Sequence, residues 1–338
     1  MNEILCLHTE AVHVLPLARA TEQLRACGIA MTFCECNSFA KACQNLAAGY
    51  DAILIHQVLL CDEVFACGPP IIILERIDGA QLAGARPWIS ASAGVIKGYT
   101  FRDRTVNNTV RGRLFPHRLV DSGLGPTENT RALAGLPAPP LSALDLAKIR
   151  IGYGFPSYSI MESLVADPMS FDEPRAYDLH CVVTVDSYKD TEITLHRRRA
   201  LEVAADWPGP SVVAPGRPFV YPEYKSQLYQ SRCVLSPWGW GEPCYRDIEA
   251  MLAGAVLVKP DTDYVDGWPD VYRRDVFYRA CRPDFSDLYE IVSDVRDRWE
   301  DHLELRTSAR ARCVEAWQPA NVASRMASII KELLDAYG

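Results

Sequence analysis

The chain has 338 residues, of which 49% are hydrophobic and 23% charged, and its formal net charge is −8. That balance belongs to a folded globular protein with room for two cores, and it excludes a disordered or fibrous chain. The single basic run, His196-Arg197-Arg198-Arg199, falls in a helical pattern and reads as a solvated face, so a dense positive surface for nonspecific nucleic-acid or anionic-membrane binding is missing.

In chain order, residues 4–7 (ILCL) read as a strand, 16–27 as a helix, 29–33 (IAMTF) as a strand and 39–49 as a helix. Residues 52–56 (AILIH) and 70–74 (PIIIL) are continuous aliphatic runs of the kind buried on both faces of a parallel sheet. Strand alternating with helix predicts a doubly wound α/β domain. From 121 to 144 the pattern gives way to Gly, Pro and small polar residues, as in a linker. A second α/β rhythm follows, with strands over 149–153 (IRIGY) and 179–185, helices over 194–205 and 224–230, and a strand over 232–236. Apolar residues at helical spacing over 322–334 close the chain.

Twelve cysteines show no C-x-x-C, no secretory leader precedes them, and no apolar run reaches the roughly 18 residues of a membrane span. The expectation is a cytoplasmic protein with reduced thiols, in which Cys34 and Cys36 are small fillers rather than metal ligands.

The most informative stretch runs from Cys233 to Asp261, CVLSPWGWGEPCYRDIEAMLAGAVLVKPD. Its ends read as consecutive strands, so the middle is a loop and a helix at the carboxyl end of a sheet. Pro243 suits the first helical position, and the amides of Cys244, Tyr245 and Arg246 would then be available to an anion beneath the glycine loop. Tyr245, Ile248 and Leu252 form a packing stripe. Arg246 and Glu249, three apart, are placed to take a diphosphate and a pair of ribose hydroxyls respectively, although the same spacing also serves a plain surface ion pair.

The segment SPWGWGEPCYRDIEAMLAGAVLVKPD resembles the donor-site motif of GT-B fold glycosyltransferases, in particular the exostosin-like and glycosyltransferase family 1-like families. The resemblance implies two Rossmann-like domains facing across a cleft, a nucleotide-diphosphate sugar as donor, Arg246 on the diphosphate and Glu249 on the ribose. Glu242 and Glu249 differ by seven positions where many retaining members have two glutamates differing by eight, so Glu242 carries no family role and the stereochemical outcome stays open.

On this basis residues 1–120 form an acceptor domain, 121–146 a linker, 147–315 the nucleotide-sugar domain, and 316–338 a C-terminal helix that packs back on the first domain. Further donor-site candidates are Gly152 and Gly154 after the strand IRIGY, Trp238, Gly239, Trp240 and Gly241 in the loop, and Asp261 with Asp263 after the next strand. A plain turn or a sealed core also accounts for each of these. Asp261-Thr262-Asp263 has the letters of a metal-binding D-x-D but lies in the second domain, and no metal is expected. From the first domain, Asp78 is the first choice for the base that deprotonates an acceptor and His8 the second, while Lys97 and Arg102 are candidates to offset diphosphate charge across the cleft.

The expected function is a metal-independent glycosyltransferase acting on a glycan or small molecule, with nucleic acid possible as acceptor but not favoured by the acidic chain. Rival readings on the same architecture are a sugar-nucleotide epimerase, a polyol-phosphate transferase and a noncatalytic nucleotide-sugar binding protein. Oligomeric state is not legible.

Overall fold

A computed structural model describes residues 1–39, 47, 49–76, 82, 85–108, 140–154, 159–167, 170–185, 192–216, 221–239, 242 and 244–338. Among the described residues, seven strands precede residue 152: β1 (Asn2–His8), β2 (Ile29–Glu35), β3 (Ala52–His56), β4 (Ile71–Glu75), β5 (Gly94–Lys97), β6 (Tyr99–Phe101) and β7 (Ile149–Ile151). All but β6 build a parallel six-stranded sheet in the order β2-β1-β3-β4-β5-β7. Helices α1 (Leu15–Arg19), α2 (Thr21–Ala26), α3 (Asp62–Phe65) and α4 (Ala143–Ala147) accompany them.

The second part carries α5 (Ser159–Ala166), β8 (Tyr177–Val183), α6 (Glu192–Ala205), β9 (Ser211–Pro215), α7 (Tyr221–Tyr229), β10 (Ser231–Leu235), α8 (Tyr245–Leu252), β11 (Val256–Pro260), β12 (Val265–Gly267), β13 (Arg279–Cys281), α9 (Leu288–Asp297), α10 (Leu303–Trp317) and α11 (Pro319–Tyr337). Its sheet is again parallel, in the order β13-β11-β10-β8-β9. The aliphatic runs explain both sheets. In β11, Leu257 packs toward α8 and α10 while Val256 and Val258 pack toward α6 and α9, so both faces are covered. The first sheet is sandwiched likewise, with Leu54 and Ile72 facing α2 and α11, and Ile53 and Ile73 facing the opposite core.

Residues 149–153 were expected to open the second domain. They do not: β7 pairs with β5 at the edge of the first sheet, Gly152 N donates to Lys97 O at 2.8 Å, and Ile149 and Ile151 are buried there. A three-residue strand carries no mark of which sheet it joins, and the G-x-G after it suggested a donor loop. The helix expected over 16–27 is two short helices, α1 and α2, broken at Ala20. The expected helix over 39–49 and most of the expected linker lie outside the described residues. The terminal α11 packs on the first sheet, where Val322, Met326 and Ile330 share a core with Leu17, Leu24 and Ile4.

A short ribbon ties the two sheets together. β6 follows the carboxyl end of β5, β12 follows the carboxyl end of β11, and the two pair antiparallel from Tyr99 to Phe101 and Val265 to Gly267. This ribbon therefore joins the sheets at their carboxyl edges, where ligands of doubly wound folds bind. Arg102 clamps it, donating from Nε to Asp263 O at 2.8 Å and from Nη2 to Val265 O at 3.1 Å, and Arg104 pairs with Asp266 at 2.7 Å. Among the described residues, no helix is long and apolar enough to cross a membrane, and Cys6, Cys27, Cys34, Cys36, Cys61, Cys67, Cys181, Cys233, Cys244, Cys281 and Cys313 carry free thiols.

Candidate functional site

The loop between β10 and α8 is held by a buried ionic cluster. Lys259, near the end of β11, shares the side of its strand with Leu257 and points its ammonium under the loop, 2.8 Å from Glu242 Oε2 and 3.3 Å from Asp247 Oδ2. All three side chains are 0% exposed. Tyr272 donates its hydroxyl to Asp247 Oδ2 and lies 3.3 Å from Glu242 Oε2, and Ser236 Oγ donates to Asp247 Oδ1 at 2.5 Å. Each carboxylate also takes a backbone amide, Gly239 N on Glu242 at 3.1 Å and Cys244 N on Asp247 at 3.0 Å. Both flanks of the glycine-rich loop are thereby fixed to one buried lysine.

Two carboxylates around one ammonium cannot share it equally. Burial, with the Asp247 charge adding to it, pushes Glu242 up to about 7 against the pull of Lys259. Asp247 is also opposed by burial, yet Lys259, Ser236 and Tyr272 together hold it below the usual carboxylate range. Lys259 is held up by both carboxylates despite its burial. The ammonium and Asp247 thus form the ionic pair, and Glu242 is the member that takes up a proton near neutrality.

Arg246 lies beside this cluster without joining it. Its side chain crosses the carboxyl end of β8, with Nε 3.5 Å from Val182 O and Nη1 4.0 Å from Cys244 Sγ. It is only 6% exposed, and among the described residues no carboxylate oxygen lies within 4.0 Å of it. The neighbouring His180 is buried against Tyr224, and burial, reinforced by the Arg246 charge, lowers it to about 3, so it is neutral at pH 7. Burial opposes the Arg246 charge, and the neighbouring Cys244, Tyr224 and Asp247 outweigh it and hold the guanidinium charged at the edge of the sheet.

The other motif residues depart from expectation. Cys244 N is taken by Asp247, so it is not available to an anion. Tyr245 is 52% exposed and does not form the packing stripe, although the residues that follow it in the first turn of α8, Arg246, Asp247 and Ile248, are buried. Glu249 is fully buried and its Oε2 accepts from Tyr224 OH at 2.7 Å, which ties α8 to α7. Trp238 is stacked on His196 with ring centroids 4.5 Å apart. Its carbonyl accepts from Arg197 Nε at 3.4 Å, and Arg197 Nη1 also holds Thr184 O at 2.8 Å. Two members of the basic run thus face inward and brace the loop, and only Arg198 and Arg199 are solvated. Asp261 is drawn into its own turn, accepting from Asp263 N at 3.2 Å and from Tyr278 OH at 3.0 Å. Gly239 is buried with its amide on Glu242. Trp240, Gly241, Pro243 and Asp78 lie outside the described residues.

At the first sheet, His8 ends β1, His56 ends β3, and His13 follows β1. His8 is buried edge-on to Phe33, and the rings of His13 and His56 are 4.4 Å apart. Burial, then the charges of His13, Arg76 and His8, lower His56 to about 3. Its Nδ1 lies 3.1 Å from Thr9 Oγ1. Lys97 does not face a cleft: it is 1% exposed beside Glu75, 3.9 Å away, because strand alternation turns it into the sheet edge. Arg102 is likewise committed to the ribbon. Gly152 and Gly154 are packing glycines rather than donor contacts. A Cβ on Gly152 would lie 2.4 Å from Ile96 Cγ2, and one on Gly154 would lie 2.8 Å from Gly98 O.

Lys259, Asp247 and Tyr272 escaped the sequence reading. The signal was a lysine inside the aliphatic run VLVKP, which only a buried acidic partner makes tolerable.

No family model matches the chain, and no curated protein matches it by sequence. Among solved structures it is similar to a glycosyltransferase from Rickettsia africae ESF-5, at 10% identity and a TM-score of 0.53, with 98% of each chain covered. It is also similar to a sucrose-phosphate synthase from Thermosynechococcus elongatus, at 11% identity and a TM-score of 0.49, covering 99% of this chain and 100% of the other. The first likeness, together with two parallel sheets joined at their carboxyl edges, identifies the architecture as the GT-B fold.

Proposed function

We propose that the protein transfers a glycosyl group from a nucleotide-diphosphate sugar to an acceptor hydroxyl. The observation that carries this reading is Arg246, a buried guanidinium without a carboxylate partner among the described residues, at the carboxyl edge of the second sheet of a GT-B fold. In the proposed step the acceptor oxygen bonds to the anomeric carbon and the bond from that carbon to the diphosphate oxygen breaks. The nucleoside diphosphate leaves with the electron pair, and the acceptor proton passes to a base of the first domain, for which His8 stands at the end of β1.

Arg246 stabilises the leaving diphosphate with its planar fork, so that charge compensation comes from the protein without a divalent cation. Glu249 holds the hydroxyl of Tyr224 and through it supports the nucleotide pocket. The Glu242–Lys259–Asp247 cluster keeps the loop and the start of α8 in place, which removes reorganisation from the reacting geometry. A thermal-shift series with UDP, GDP, CDP, ADP and dTDP in the presence of EDTA tests the reading. One nucleotide at about 100 times its dissociation constant should add roughly 2.7 kcal/mol of stability. Five flat responses would refute nucleotide recognition.

A further inference from the structure

Away from Arg246 and His8, a cavity of about 330 Å³ opens between Trp268, α10 and α11. Asn321, Ser324, Arg325, Ser328 and Glu332 of α11 and Arg312 and Glu315 of α10 give it a polar wall of both charges. Arg325 is half-buried on its floor, donating from Nε to Ile151 O at 2.9 Å, with its guanidinium 5.6 Å from the centre of the Trp268 ring. The charges of Asp266 and Glu332 act on it and Glu315 lines the same cavity, but each is held by a different arginine: Asp266 by Arg104 at 2.7 Å, Glu332 by Arg150 at 3.3 Å, and Glu315 by Arg312 at 3.2 Å. Among the described residues, none lies within 4.0 Å of Arg325 itself. Burial, with the Arg312 charge adding to it, lowers its pKa against the pull of Asp266 and Glu332, and a bound anion would offset the remaining cost.

We propose that this cavity is a second ligand site, which binds the phosphoryl group of a small polar metabolite through Arg325. The planar fork presents paired N–H donors to a phosphoryl oxygen pair, the exposed Ser324 hydroxyl can add a further donor, and Trp268 forms the apolar wall. The volume is at the lower end of small-molecule pockets, more room than a bare phosphate requires. The site also spans both domains. Cys313 and Ala316 of α10 pack in the core that contains Met251 of α8, whereas Met326 and Ile330 of α11 pack against the first sheet. A ligand here touches one helix of each domain together with the loop that follows the ribbon, and its occupancy is coupled to the angle between the domains.

Isothermal titration calorimetry on the full chain tests this, with inorganic phosphate and a hexose 6-phosphate as probes. Saturable binding is expected, tighter for the hexose phosphate if the metabolite is the ligand and equal for the two if the free anion is. Arg325→Gln should weaken it roughly tenfold or more, the effect of losing one charge-assisted hydrogen bond. Ser324→Asp, at an exposed position that places a like charge in the cavity, should do the same in a protein whose fold is confirmed by circular dichroism. Arg246→Ala should leave it unchanged. Absence of saturable binding, binding that survives Arg325→Gln and Ser324→Asp, or binding lost in Arg246→Ala would overturn the proposal, the last by placing the anion in the donor site.

Discussion

Lys259 and Glu242 meet at 2.8 Å with neither side chain exposed, and Asp247 completes the cluster from the first turn of α8. A buried charge that loses its partner is far more costly than a pair removed together. Lys259→Met leaves two buried carboxylates facing each other and should destabilise the protein by about 3 to 5 kcal/mol. Adding Glu242→Gln to Lys259→Met should recover part of that loss. Urea unfolding of the two variants measures it, and equal or additive losses would mean that the cluster is not coupled.

The pH dependence of stability has two opposed sources. Glu242 is raised to about 7 from 4.5, so its contribution is present below 4.5 and is lost as pH rises through 7. His56, His180 and His196 are lowered to about 3 from 6.5, chiefly by burial, so their contribution is present above 6.5 and is lost as pH falls toward 3. Relative to the parent, Glu242→Gln should therefore gain stability, of order 1 to 3 kcal/mol, as pH rises from about 4.5 to 7. Parallel stability curves for parent and variant over that interval would contradict the assignment of the labile proton to Glu242.

Gly152 is a packing glycine in this structure, since a Cβ there would lie 2.4 Å from Ile96 Cγ2 and 3.2 Å from Met326 Sδ. Gly152→Ala should cost about 1 to 3 kcal/mol of stability through overpacking and leave nucleotide affinity within about twofold. A stable variant with weakened nucleotide binding would restore the donor-loop role.

His8 ends β1 at the carboxyl edge of the first sheet and is buried against Phe33. As the proposed base it should affect the chemical step and not donor binding. His8→Gln should lower kcat by about 100-fold or more while the nucleotide dissociation constant holds. Unchanged kcat would remove His8 and direct attention to His13 or Asp78.

Much of the fold was legible because continuous aliphatic strands such as AILIH and VLVKP admit few alternatives to a doubly covered parallel sheet. The placement of IRIGY was not, because the three residues of it that form β7 carry no label for which sheet they join, and the register with β5 decides it. At the site, the unusual density of charge in the loop and α8 was visible, but its division was not. Sequence spacing set Arg246 and Glu249 together as neighbours on a helix, whereas the third dimension brings Lys259 from the next strand and Tyr272 from a later loop, and these engage Asp247 and Glu242 instead. Glu242, which had no role on spacing alone, proves to be a buried partner of that lysine. His196 and Arg197 were misread as solvated because a basic run gives no sign that its inner members brace a neighbouring loop.

The central claim is that Arg246 meets the diphosphate of a nucleotide sugar, and donor turnover by Arg246→Ala tests it most directly. With the nucleotide selected by thermal shift, the parent should release nucleoside diphosphate from the corresponding sugar nucleotide. Arg246→Ala, folded as judged by circular dichroism, should lower kcat/KM by about 100-fold or more, equivalent to about 2.7 kcal/mol of lost transition-state stabilisation. Turnover equal to the parent in a folded Arg246→Ala protein would contradict the account.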